Sequence, residues 1–198
     1  MKYPIELIRL ISFFKKLPGV GNKTAERFAF SILDWKNEEI DNFANQLSGA
    51  RKKISSCVVC GTMKDSELAC DFCEHPHRNQ TQLCIISSAK DVFSIESTHM
   101  YQGLYHVLTG LLSPMKNLHP KEIGIDKLMT RIENSSVKEI IIALDSTIEG
   151  DTTALYLKEI LPDDISVFRL AFGLPIGSSL DFVDGSTLSR AFMGRQKF

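Results

Sequence analysis

Ile140-Ile141-Ile142-Ala143-Leu144-Asp145-Ser146-Thr147-Ile148-Glu149-Gly150-Asp151 is the stretch on which the reading of the fold turns. Its first five residues are an unbroken apolar run rich in β-branched side chains, the pattern of a strand buried on both faces. An acidic loop follows over 145–151, and a helical pattern begins near 152 and ends near 161. Strand, polar loop and helix in that order make one step of a parallel sheet with helical crossovers. The same step recurs on both sides. Leu83 to Ile86, a helix near 89–97, Tyr105 to Leu108, a helix near 125–133 and Ile165 to Leu170 alternate along the chain. The fold class is therefore mixed α/β, with Thr187 to Phe192 as a last short helix. In such a sheet ligands bind at the C-terminal ends of the strands, which is where Asp145 stands.

The N-terminal part is helical instead. Ile5, Leu7, Ile8, Leu10, Ile11 and Phe14 form a stripe that stops at Pro18. A second helix starts with Asn22 as its cap and turns Ala25, Phe28, Ala29, Ile32 and Leu33 inward. A third, about 38–54, places Ile40, Phe43, Ala44, Leu47 and Ile54 on one inward face. Leu17-Pro18-Gly19-Val20-Gly21-Asn22-Lys23 joins the first two and has the composition of a helix-hairpin-helix, whose tight turn lets backbone amides approach a phosphate. Gly19, Gly21, Lys23 and Arg27 are the candidate DNA-binding residues, and contacts of this kind carry no base code. An ordinary helical hairpin closed by a Gly cap is the competing reading. A P-loop is excluded, because Asn22 rather than Gly precedes Lys23 and a helix rather than a strand precedes the turn.

Cys57-x2-Cys60 and Cys70-x2-Cys73 are two chelating pairs, the arrangement of a closed tetrahedral thiolate site for one structural zinc per chain. Such a site leaves no open position for water, so the metal organises the insert and does no chemistry. His75 and His77 are read as surface residues of a turn that could replace a cysteine ligand, and Cys84 as a small core residue.

The 198 residues carry a net charge of −1, but unevenly. Residues 1–56 hold ten Lys and Arg against six Asp and Glu; the remainder holds 13 against 18. A polyanion is therefore expected to meet the first third, and a basic protein or a cation the acidic remainder. No apolar run approaches the ~18 residues of a membrane span, and the N-terminus is unlike a secretory signal, so a cytoplasmic protein without membrane contact is expected.

The order Asp145 to Asp151 resembles the acidic loop of Toprim domains, D-x-D-x-E-G-E, whose carboxylates hold Mg²⁺ together with a Glu at the end of the first strand. Here Ser87 stands at that Glu and Thr147 at the second Asp. Two missing carboxylates imply a Toprim scaffold without Toprim chemistry, so that no residue is catalytic. The whole chain resembles the RecR family of bacterial recombination mediators. The match runs collinearly through LPGVGNKTAERFAF, CVVC, CDFC, LCIIS, YHVLTGLLSP, ALDSTIEGDTTALYL, FGLPIG and VDGSTLSRAFMGRQKF.

That resemblance implies a helix-hairpin-helix DNA-binding region over 1–56, a four-cysteine zinc module over 57–80, a Toprim-like domain over 81–171 and a C-terminal oligomerisation segment over 172–198. It further implies a non-enzymatic mediator of recombinational DNA repair. Such a protein would be a homo-oligomeric, tetrameric ring that clamps single- and double-stranded DNA without sequence preference and assists RecA loading with RecO and RecF. Asp145, Glu149 and Asp151 fall in the loop the family turns toward RecO, and Phe172 to Asp184 in a segment used for subunit contact. Two readings stay beside it: a metal-dependent Toprim nuclease or primase, and a zinc-dependent adaptor with no DNA role.

Overall fold

The computed structural model describes residues 3–171, 173, 174 and 177–195. Phe172, Pro175 and Ile176 of the expected subunit-contact segment lie outside the described residues, as do Met1, Lys2 and 196–198. The chain divides into two compact units, 1–54 and 55–198.

The first unit is three helices, α1 (Ile5–Phe14), α2 (Asn22–Leu33) and α3 (Asn37–Lys53). Small Ala25 and Ala29 let α1 and α2 approach closely, with Leu7 buried on α1. Phe14 meets Phe28 edge-to-face at 5.8 Å between ring centres. Two expectations are corrected here. Asn22 is the first helical residue rather than the cap; Gly21 holds that position in extended backbone, and its carbonyl accepts the Ala25 amide at 2.9 Å. The inward stripes of α2 and α3 also fail in part. Phe28, Leu33, Phe43, Leu47 and Ile54 are exposed, and α3 buries no side chain at all. Amphipathic spacing records that a face needs covering; among the described residues of this unit α3 gets only partial cover, Ile40 being half-buried and Phe43 meeting Trp35 edge-to-face at 5.7 Å.

The second unit begins with a short ribbon, β1 (Ile54–Ser56) and β2 (Met63–Asp65), too brief for periodicity to announce. A four-stranded sheet follows: β3 (Asn79–Ile86), β4 (Gly103–Val107), β5 (Glu139–Ala143) and β6 (Ser166–Arg169), in the spatial order β4-β3-β5-β6, all parallel. The connections use α4 (Ala89–Glu96), α5 (Ile125–Glu133) and α6 (Ile148–Ile160), and α7 (Gly185–Met193) closes the chain. From β3 to β4 the chain moves one way across the sheet, and from β4 to β5 to β6 it moves back. Right-handed crossovers then put α4 on one face and α5 with α6 on the other.

The packing follows that rule. Leu83, Ile85, Ile140 and Ile142 meet Leu128 and Ile132 of α5 and Ala154 and Leu157 of α6. On the opposite face Cys84, Ile86 and Tyr105 meet Val92 of α4, so Cys84 is the core residue expected. Strand β3 is buried on both faces, which is why its apolar run is unbroken. Among the described residues no helix is long and apolar enough to cross a membrane.

Candidate metal centre and nucleic-acid interface

The four cysteines converge. Each knuckle is a tight backbone turn: the Gly61 amide donates to the Cys57 carbonyl at 2.9 Å, and the Glu74 amide to that of Cys70 at 2.9 Å. The Sγ atoms of Cys57, Cys60, Cys70 and Cys73 all lie within 4.8 Å of one another. The pairs Cys57–Cys73 and Cys60–Cys70 stand at 3.6 and 3.5 Å. A tetrahedron of thiolates about 2.3 Å from a central ion has edges of about 3.8 Å, so the donor set fits one metal ion. His75 and His77 are exposed and outside the group.

Burial pushes the Cys60 thiol up to about 11 and raises Cys73 as well. At Cys70 burial also acts upward, but hydrogen bonds from Thr62 and the Phe72 backbone outweigh it and bring the thiol down to about 7. Four packed thiols resist joint ionisation until a dication displaces their protons. The buried Thr62 hydroxyl lies 2.9 Å from Cys60 Sγ and 3.4 Å from Cys70 Sγ.

The module is fastened to the sheet. The Val107 amide donates to the Cys60 carbonyl at 2.8 Å. Gly61, at φ +77°, sits where a Cβ would come within 2.9 Å of Val107 Cβ, so glycine is required twice over. Arg78, which the sequence reading missed, closes the other side. Its guanidinium forks onto Glu96 at 2.9 and 2.8 Å, and its Nε donates to the Asp71 carbonyl at 3.0 Å. It also stacks over Phe72 and Tyr105. Hydrogen bonding to Arg78 holds the Glu96 carboxyl below its usual range. An isolated Arg after a cysteine cluster carries no sequence signal of this role.

At the C-terminal edge of the sheet the acidic stretch differs from the loop expected. α6 starts at Ile148, so Glu149, Gly150 and Asp151 form its first turn and only 145–147 remain loop. Thr147, at the position of the second Toprim Asp, is the N-cap, its hydroxyl accepting the Gly150 amide at 3.1 Å. A Cβ on Gly150 would lie 2.0 Å from the Asp145 carbonyl oxygen, so the helix can start here only with glycine. Acidic side chains in this turn complement the helix dipole. Asp145 is exposed and Glu149 half-buried. Asp151 turns inward: one oxygen accepts from Arg169 of β6, the other from Arg190 of α7 at 2.6 Å. The arginine hydrogen bonds, Arg169's first, hold its carboxyl below the usual carboxylate range. Ser87 follows the end of β3, and Asp91 in the first turn of α4 feels both burial and the charge of Asp145, which raise it.

The hairpin is built as its glycines suggest. The Val20 amide closes a turn onto the Leu17 carbonyl at 3.1 Å, with Gly19 at φ +77°. Gly21 takes an ordinary extended conformation, and a Cβ there would meet nothing within 4 Å. Neither strain nor packing among the described residues of this unit demands that glycine. No side chain caps α2, so its first-turn amides stand open beside exposed Lys23 and Arg27. Neither cation takes part in an ion pair among the described residues.

A helical hairpin with no side-chain cap at its turn, a four-thiolate group and a four-stranded parallel sheet follow one another along the chain. Residues 81–171 match the Toprim domain family, residues 7–51 the RecR helix-hairpin-helix and residues 173–196 the RecR C-terminal family. The chain is 51% identical over 199 residues to Recombination protein RecR of Protochlamydia amoebophila (strain UWE25), covering 100% of both. It is 42% identical over 197 residues to Recombination protein RecR of Lactobacillus acidophilus, covering 98% of both. The chain belongs to the RecR family.

Proposed function

We propose that the protein is a non-enzymatic, DNA-binding mediator of recombinational repair that works as a homo-oligomeric clamp. The turn at Gly19 to Asn22, flanked by the exposed cations Lys23 and Arg27, carries this reading. Backbone amides and two cations suit a phosphate and ignore bases, so binding is sequence-independent. The exposed apolar side chains of α1 and α3 supply material for contact between subunits, and joining several weak sites raises avidity by ~10² to 10⁴. The thiolate centre takes a structural zinc, to which all four donors fit, and Asp145 and Glu149 offer a surface to protein partners, RecO and RecF by family resemblance.

Titration of labelled DNA at several salt concentrations tests the reading. Wild type should bind with a steep salt dependence, and Lys23→Ala/Arg27→Ala should weaken binding and flatten the slope by about one per cation removed. Equal binding by both proteins would remove the hairpin from the mechanism. The nuclease or primase reading lacks support from Ser87 and Thr147, which occupy two carboxylate positions, and from Asp151, held by two arginines. Cleavage of DNA with Mg²⁺ or Mn²⁺ that Asp145→Asn abolishes would restore it.

A further inference from the structure

The two hairpin cations share their helix face with an aromatic ring. Lys23, Arg27 and Phe30 follow one another at i, i+4 and i+7 on α2, so they stand in one row. That row lies opposite Ala25 and Ala29, the two residues by which α2 is buried. Tyr3 of the same unit meets Phe30 edge-to-face at 6.0 Å between ring centres and covers part of it, but 46% of Phe30 stays exposed on this face. Lys23, Arg27, Phe28 and Phe30 line one open groove of about 800 Å³, with Thr24, Glu26 and Ser31 completing its walls.

We propose that Phe30 is a stacking platform for an unpaired base, so that this groove grips single-stranded nucleic acid by phosphate and base together. The inference rests on the DNA-binding reading above and deepens it by naming the form of the ligand. Cations alone do not distinguish a single strand from a duplex, because both present phosphates. An aromatic face beside the cations does, because only an unpaired base leaves its own face free to stack. Every base has such a face, so the preference is for strandedness and not for sequence. The positive row supplies the charge complementarity that a purely apolar partner surface would not need.

Fluorescence anisotropy on the full chain, with a labelled oligodeoxythymidine and a duplex of equal length, tests the proposal, with molar mass measured in parallel. Phe30→Leu keeps bulk and apolarity but removes the ring; it should weaken binding of the single strand about 5- to 100-fold and affect the duplex far less. Phe30→Trp in a Trp35→Phe background should retain single-strand affinity, and its emission should be quenched by the oligonucleotide. Unchanged single-strand affinity for Phe30→Leu, with wild-type mass and wild-type duplex binding, would overturn the stacking role while leaving the DNA-binding reading intact. A smaller molar mass for Phe30→Leu would overturn it too, by assigning the ring to a contact between copies of the chain. Failure of the wild type to bind either ligand would sink the underlying reading instead.

Discussion

The two units of this chain treat their apolar residues in opposite ways. In the sheet unit Leu83, Ile85, Ile86, Ile140, Leu128 and Leu157 are wholly or almost wholly withdrawn from water, and helices cover both faces of β3. Among the described residues of the helical unit only Leu7, Ala25 and Ala29 are buried, while Ile5, Ile8, Phe13, Leu17, Phe43 and Leu47 stay exposed. Both sequences are amphipathic, so the difference is in tertiary closure. A parallel sheet brings its own covering helices through its crossovers, whereas three short helices leave faces unpartnered. The sheet unit closes a core of its own, although Ile148, Phe182, Phe192 and Met193 stay exposed on it, whereas the helical unit has little core among its described residues.

The largest effect that would break this contrast lies in the metal module. Cys60→Ser should remove about one metal equivalent per chain and expose the amides of 57–73, read by elemental analysis and hydrogen exchange; retention of both would remove the metal from the architecture. Next, Ile140→Ala in the sheet should cost about 2 to 5 kcal/mol in denaturant unfolding, because the surrounding core cannot collapse fully into the space.

Acid should act on the two units unequally. Burial first, then the charges of Arg131 and Lys127, lower the His106 imidazole to about 4. The folded state therefore binds fewer protons than the unfolded one between that value and the ordinary histidine pKa of about 6.5. The sheet unit should lose up to about 3 kcal/mol as pH falls through this window, and His106→Gln should flatten the profile. Residues 1–54 contain no histidine, so the helical unit should not share that loss.

Asp151→Asn should cost about 1 kcal/mol or less but free α7, seen as faster exchange over 185–193, since both oxygens now hold arginines. Smallest of all, Leu47→Ser should change the stability of the single chain by only about 0.5 kcal/mol. If α3 is a subunit contact, the same substitution should lower the molar mass; a large loss of chain stability would instead mean that α3 is packed within its own unit.

Much of this was legible from residue order. Apolar runs separated by helical spacing made the parallel sheet readable, although only β3 and β4 are buried on both faces, while in β5 buried Ile140 and Ile142 alternate with half-buried neighbours. The spacing of Cys57, Cys60, Cys70 and Cys73 specified the thiolate group, because two short chelating loops are a local property. Gly19 announced the hairpin turn for the same reason. What the chain order could not carry was anything settled between distant segments. Arg78 clamps Glu96, and Asp151 is claimed by Arg169 and Arg190. Side-chain partners far apart in sequence leave no period behind. Spacing likewise records only that α3 has an apolar face, while whether that face is covered depends on what the folded chain can bring to it.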